Sequence, residues 1–137
     1  MSQKRIRAIY EGRLKTWADA RSPVLRIAFE NVPFTPANGE TYIKAFVFPA
    51  MSVNLDLAGA STTYRGVFQA SVCVPINNGS GAASGIADEL AALFVPNTLL
   101  TDGVVTVQQV TPASIAPALQ GESEYIVPVS FTYRADI

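Results

Sequence analysis

The eleven residues from Glu124 to Arg134 alternate without a break. Tyr125, Val127, Val129, Phe131 and Tyr133 fall on one side, and Ile126, Pro128, Ser130, Thr132 and Arg134 on the other. A period of two belongs to an extended strand, so this segment is a strand with one face against an apolar layer. Thr62 to Pro75 repeats the pattern, with Tyr64, Phe68, Ala70, Val72 and Val74 facing one way and Thr63, Arg65, Gln69 and Ser71 the other. Two long strands with apolar faces need a cover, and two stretches of helical period supply it. In Ser2 to Ala20, at about 100° per residue, Ile6, Ile9, Tyr10, Leu14 and Trp17 share a sector opposite Lys4, Arg5, Arg7, Glu11 and Lys15. Ser2 suits the N-cap. Ala83, Ile86, Ala87, Leu90, Leu93 and Phe94 line one side of a second helix, which Pro96 stops.

Shorter strands fill the intervals. Val24 to Glu30 alternates, Thr41 to Phe48 is apolar on both faces and so belongs inside the sheet, and Val104 to Thr111 lies between Asp102-Gly103 and Pro112. Pro128 cannot donate to a ladder, which predicts an edge position or a bulge for the last strand. The order is therefore α-β-β-β-α-β-β, an α+β fold with two helices packed on one face of a mainly antiparallel sheet. A chain of 137 residues suits one domain spanning 1-137. Its core is expected to contain Ile6, Leu14, Trp17, Phe46, Phe68, Val72, Ile86, Leu90, Leu93, Val129 and Phe131.

The chemistry available to such a chain is narrow. It has no histidine and a single cysteine, Cys73. Neutral acid–base work, transition-metal sites and activated nucleophiles draw mainly on those residues, so the sequence argues against an enzyme and implies neither cofactor nor metal. Cys73 sits in an apolar strand and reads as a buried, inert thiol. Asp88 and Glu89 are neighbours on a helix and diverge by about 100°, so they cannot face one another across a substrate. The glycines from Gly79 to Gly85 precede a helix but follow neither phosphate-binding pattern, which leaves a flexible turn as the main reading. No apolar run approaches the roughly 18 residues of a membrane span, and the opening MSQKRIRAIYEGR is too basic for a secretion signal.

Charge is scarce and divided. Residues 1 to 30 carry seven basic and three acidic residues, +4, whereas residues 31 to 137 carry three basic and eight acidic ones, -5. Seven basic residues with little aromatic interleaving make a poor nucleic-acid signature. Head-to-tail contact between copies is the favoured explanation. Arg13, which projects from the apolar sector of the first helix, either snorkels to water or forms a cross-subunit ion pair. Pro49 to Ser61 is a loop in which Met51, Val53, Leu55 and Leu57 alternate with Ser52, Asn54 and Asp56. Such a loop is longer than a compact domain needs, and it is expected to touch a neighbouring subunit or another protein.

Several strings give the chain a family look: IRAIYEGRLKTWADAR, IAFENVPFTP, YIKAFVFPA, TYRGVFQASVCVP followed by GSGAASGIADELAALF, and YIVPVSFTYRAD. Together they resemble the phage tail terminator-like proteins of siphophages and prophages. The resemblance implies a structural virion protein, similar to the minor tail protein U of lambdoid phages. It implies a hexameric ring on the last ring of tail-tube protein, which ends tube growth and offers a surface to head-completion proteins. It brings no catalytic residues, and it places the protein at the head-proximal end of the tail, after assembly in the host cytoplasm. DNA could pass through the ring lumen, without sequence-specific binding. Two alternatives stand beside it: another neck or head-tail joining ring component, and a small-ligand module using the Gly79 to Gly85 turn.

Overall fold

The two long alternating segments pair with one another. In a computed structural model that describes residues 2–21, 24–50, 53–54, 62–76, 81–121 and 124–136, strand β4 (Thr62–Pro75) runs antiparallel to β9 (Glu124–Asp136). The register sets Phe68 opposite Phe131, Ala70 opposite Val129 and Val72 opposite Val127. Both apolar halves therefore lie on one face. Strand β2 (Tyr42–Pro49) continues that face from the other side of β4, with Ile43, Ala45 and Val47 opposite Val72, Ala70 and Phe68.

Helix α1 (Ser2–Ala20) and helix α2 (Gly81–Leu93) cover this face. They bury Ile6, Tyr10, Leu14 and Ala18 from the first and Ala83, Ile86, Ala87 and Leu90 from the second in one cluster with the three strands. Ten of the eleven residues expected in the core lie in that cluster or pack against it. Phe46 is the exception. It shares the helix-free face with Phe48, against which it stacks at 6.0 Å. Both faces of β2 are apolar, so its sequence alone does not choose between them; the choice falls to Ile43, Ala45 and Val47, whose partners on β4 already face the helices.

The sheet is mixed. Its order is β1-β2-β4-β9-β6-β5, where β1 (Arg26–Ala28) is parallel to β2 and the other pairings are antiparallel. Four short strands among the described residues add to the predicted set. Val53–Asn54 (β3) pairs with Thr62 and Thr63, extending the β2–β4 hairpin into the predicted loop. Leu99–Thr101 (β5) forms a hairpin with Thr106–Gln109 (β6). Ser114–Ile115 (β7) and Leu119–Gln120 (β8) flank β9 on the side away from β4.

The last strand is thus interior, and Pro128 is accommodated by its neighbour. Ile115 lies opposite Val129 but Leu119 lies opposite Ile126, so three residues of the outer strand face two of β9. This is a bulge. The Ala116 amide donates to Pro128 O at 2.9 Å, which directs the donor-less side of Pro128 toward the bulge instead of toward the β4 ladder.

Tyr10 occupies the centre of the core. Its ring lies 5.5 Å from Phe68, 5.0 Å from Phe131, 6.2 Å from Phe94 and 5.8 Å from Tyr133. Tyr133 in turn lies over Gly66, where a β-carbon would fall 2.6 Å from Tyr133 Cζ and 2.7 Å from the Phe48 carbonyl oxygen. The Tyr133 hydroxyl donates to Gln3 Oε1 at 2.7 Å, tying the start of α1 to β9. Gly66→Ala should cost about 1–3 kcal/mol through overpacking. The Tyr10 hydroxyl is buried and has no hydrogen-bond partner among the described residues. Tyr10→Phe should therefore leave stability unchanged or raise it by up to about 1–3 kcal/mol, the cost of an unsatisfied buried hydroxyl. The urea midpoint should fall for Gly66→Ala and stay or rise for Tyr10→Phe; a Tyr10→Phe variant that is clearly weaker than wild type would show that the hydroxyl has a partner.

Candidate functional site

A chain with a low charge content either hides its apolar side chains or presents them to partners. Among the described residues, the large hydrophobic residues left exposed fall mostly toward two opposite ends of the sheet. Val24 and Val32 flank β1, with Phe48 beside them on β2. Val95, Leu99, Val104, Val110, Ile115 and Leu119 follow the other end, along β5 to β8; Leu99 is 64% exposed, Val104 70% and Leu119 61%. Soluble surfaces commonly expose single apolar residues, but a file of them along an edge marks a contact surface.

The second edge is also nearly free of charge. From Leu90 to Gly121 the only charged residue is Asp102. It closes the β5–β6 turn, where Gly103 takes φ 94°. Its Oδ1 accepts the Val104 and Val105 amides, both at 2.9 Å, and its Oδ2 accepts from Arg5 of α1, also at 2.9 Å. Those two amides, reinforced by the guanidinium, hold the Asp102 carboxyl down at about 2.

Most of the basic residues at the start of the chain are likewise engaged within it. Five of the seven form ion pairs: Arg5 with Asp102, Arg7 with Glu30 and Glu11, Lys15 with Asp19, Arg21 with Glu89 and Arg26 with Glu40. Three of these pairs, those of Arg5, Arg21 and Arg26, join the basic start to acids of the later chain, so part of the division of charge is met within the subunit. Glu30 illustrates the local use of these charges. β1 ends at Ala28, and Glu30 Oε1 accepts the Val47 amide further along β2 at 2.7 Å while also accepting from Arg7.

The residues singled out from sequence fall in three places. Arg13 Nη2 donates to Leu93 O at 3.1 Å, satisfying a carbonyl at the C-terminal end of α2 where cations are favoured. Val53 lies on β3, opposite Thr63. Met51, Leu55, Asp56 and Leu57 lie outside the described residues. Sequence reasoning missed the β5–β8 edge, although its signal was available in the long run from Leu90 that Asp102 alone interrupts.

Concave surfaces offer little chemistry. A hollow of about 320 Å³ is lined by Glu40, Tyr42 and Glu124 among others, but Glu40 is bound by Arg26 and Glu124 by Lys44 and the Tyr42 hydroxyl. At the start of α2 a hollow of about 310 Å³ contains Gly81, Gly85 and Arg21, whose guanidinium is held by Glu89 at 2.8 Å. Gly79 and Ser80 lie outside the described residues. Among those described, no group of three or more His, Cys, Asp or Glu residues could hold a metal, and no helix is long and apolar enough to cross a membrane. Burial pushes the Cys73 thiol up to about 11, which keeps it protonated and unreactive at neutral pH.

The Asp102 turn has a predictable pH response. Its carboxyl is depressed from the ordinary 3.8 to about 2 in the folded state, so its stabilising contribution is complete above pH 4 and disappears as pH falls through about 2. Asp102→Asn should lower the urea midpoint at pH 7, and the gap from wild type should narrow on acidification from pH 4 to pH 2. A gap of constant size would exclude the carboxylate as its cause.

Comparison with known proteins agrees with this picture of a structural subunit. A family model described as phage tail terminator protein matches residues 5–133. A solved structure 42% identical in sequence superposes with a TM-score of 0.84, covering 98% of this chain and 96% of the other. No curated protein matches. The chain belongs to the phage tail terminator family, whose members are structural proteins of the virion tail and interact with other tail and head proteins.

Proposed function

We propose that this chain assembles into a hexameric ring that caps the tail-tube protein, terminates its polymerisation and provides the surface to which a head-completion protein joins. The observation that carries the reading is the division of exposed apolar residues between opposite ends of one sheet. A closed ring needs two different, complementary lateral surfaces on every subunit, and two separated apolar edges support that reading. Sixfold closure follows from the family resemblance. The segment after β2 that holds Met51, Val53, Leu55, Asp56 and Leu57 contacts the adjacent subunit or the tube ring beneath.

Light scattering over a concentration series, with and without tail-tube protein, tests the assembly. Rings are expected at least on the tube ends, visible by electron microscopy as caps that stop elongation. A subunit that stays monomeric under every condition, or tubes that grow to the same lengths with and without it, would contradict the proposal. Replacing Val53, Leu55 and Leu57 together by Ser should preserve folding yet give overlong or headless tails. Normal tails from this variant would remove that segment from the interface.

A further inference from the structure

Both ends of the sheet are open edges. β1 and β5 are each three residues long and terminate the strand order, with no described strand beyond either. α1 borders both. A groove of about 360 Å³ runs between α1 and β5, lined by Ala8, Ile9, Arg13, Leu100, Thr101 and Asp102. A second, of about 200 Å³, joins α1 at Lys15 and Asp19 to the chain from Val24 through Ile27. The molecule thus carries one slot between a helix and a free strand edge at each end.

The backbone of β5 is set to receive a partner. The Asp102 amide donates to Val105 O, and Leu100 lies opposite Val107. Alternation of the antiparallel ladder then turns the amides of Leu99 and Thr101 away from β6. Natural proteins usually guard such an edge with lysine, proline or an inward charge. β5 has none of these on its three residues, and the nearest charge, Asp102, is already held by Arg5. At the opposite end Arg26 is held by Glu40, and Lys15 by Asp19. Arg13, which also lines the β5 groove, donates to the Leu93 carbonyl, so at the junction it would be the one charge held by a hydrogen bond instead of an ion pair among the described residues.

We infer that the β5 edge of one subunit receives the β1 edge of a second copy, so that the sheet continues from subunit to subunit. This rests on the ring reading and specifies its lateral contact. The occupant is a second copy because each molecule supplies one edge of either kind, both beside α1, and the charges near the strands, Asp102 and Arg26, are already held by Arg5 and Glu40. Head-to-tail repetition of such a pair is the heterologous contact that closes by rotation. Leu99 on one side and Val24, 59% exposed, on the other form the apolar border of the junction.

Charges introduced across the junction test this. Leu99→Lys and Val24→Lys alter exposed side chains, so each variant should melt like wild type, yet each should reduce ring formation at least tenfold. Leu99→Lys combined with Val24→Glu should restore it. Rings that form normally in either single variant, or a double variant no better than the singles, would overturn the edge pairing and leave the ring itself standing. Absence of rings from the wild-type protein, on and off the tube, would instead overturn the underlying ring reading.

Discussion

The aromatic contact of Tyr10 with Phe68, Phe131 and Tyr133 fixes the positions of the other parts. It joins α1 to the two longest strands at the middle of their register, and Phe94 brings the end of α2 to the same point, 4.9 Å from Phe131. Each such ring pair contributes about 0.5–1.5 kcal/mol beyond simple burial. Gly66 makes the arrangement possible, because only a residue without a side chain leaves room for Tyr133 between β4 and α1. With the helices held there, one face of the sheet is closed and its two ends remain open.

That division explains the use of charge. The basic residues of α1 and the segment after it reach acids elsewhere in the fold: Arg5 spans to the β5–β6 turn, Arg7 to Glu30 and Arg21 to α2. These pairs are exposed to different extents and each contributes modestly. Their larger effect is to pair Asp102 and Arg26, the charges on or next to the two edge strands. A monomer would gain nothing from such edges and would risk aggregation. In the proposed ring they would serve as contact surfaces between subunits.

The long elements were legible because their periodicity is unambiguous. Ser2 to Ala20, Thr62 to Pro75 and the alternating segment from Glu124 matched the structure closely, since each has enough residues for a repeat to declare itself. Strands of two or three residues, such as β5, β7 and β8, carry no readable period and exist through their pairing with longer neighbours. Phe46 was misplaced because β2 is apolar on both faces. Pro128 did signal a bulge, but the extra residue lies on the outer strand. The candidate interface was only partly visible: the segment after β2 stood out by composition, and the charge-poor run from Leu90 was legible too, but that its first strand forms a sheet edge emerged only with the strand order. The parallel pairing of β1 with β2 had no signal in these short segments.

Hydrogen exchange in the free subunit and in the subunit assembled on tail tubes tests most directly whether the sheet edges are the lateral contacts. The account predicts that the Leu99 and Thr101 amides, together with those of β1, exchange readily in the free protein and become protected on assembly. Protection confined to the helices or to the helix-free face, with both edges exchanging as fast as in the free subunit, would contradict it.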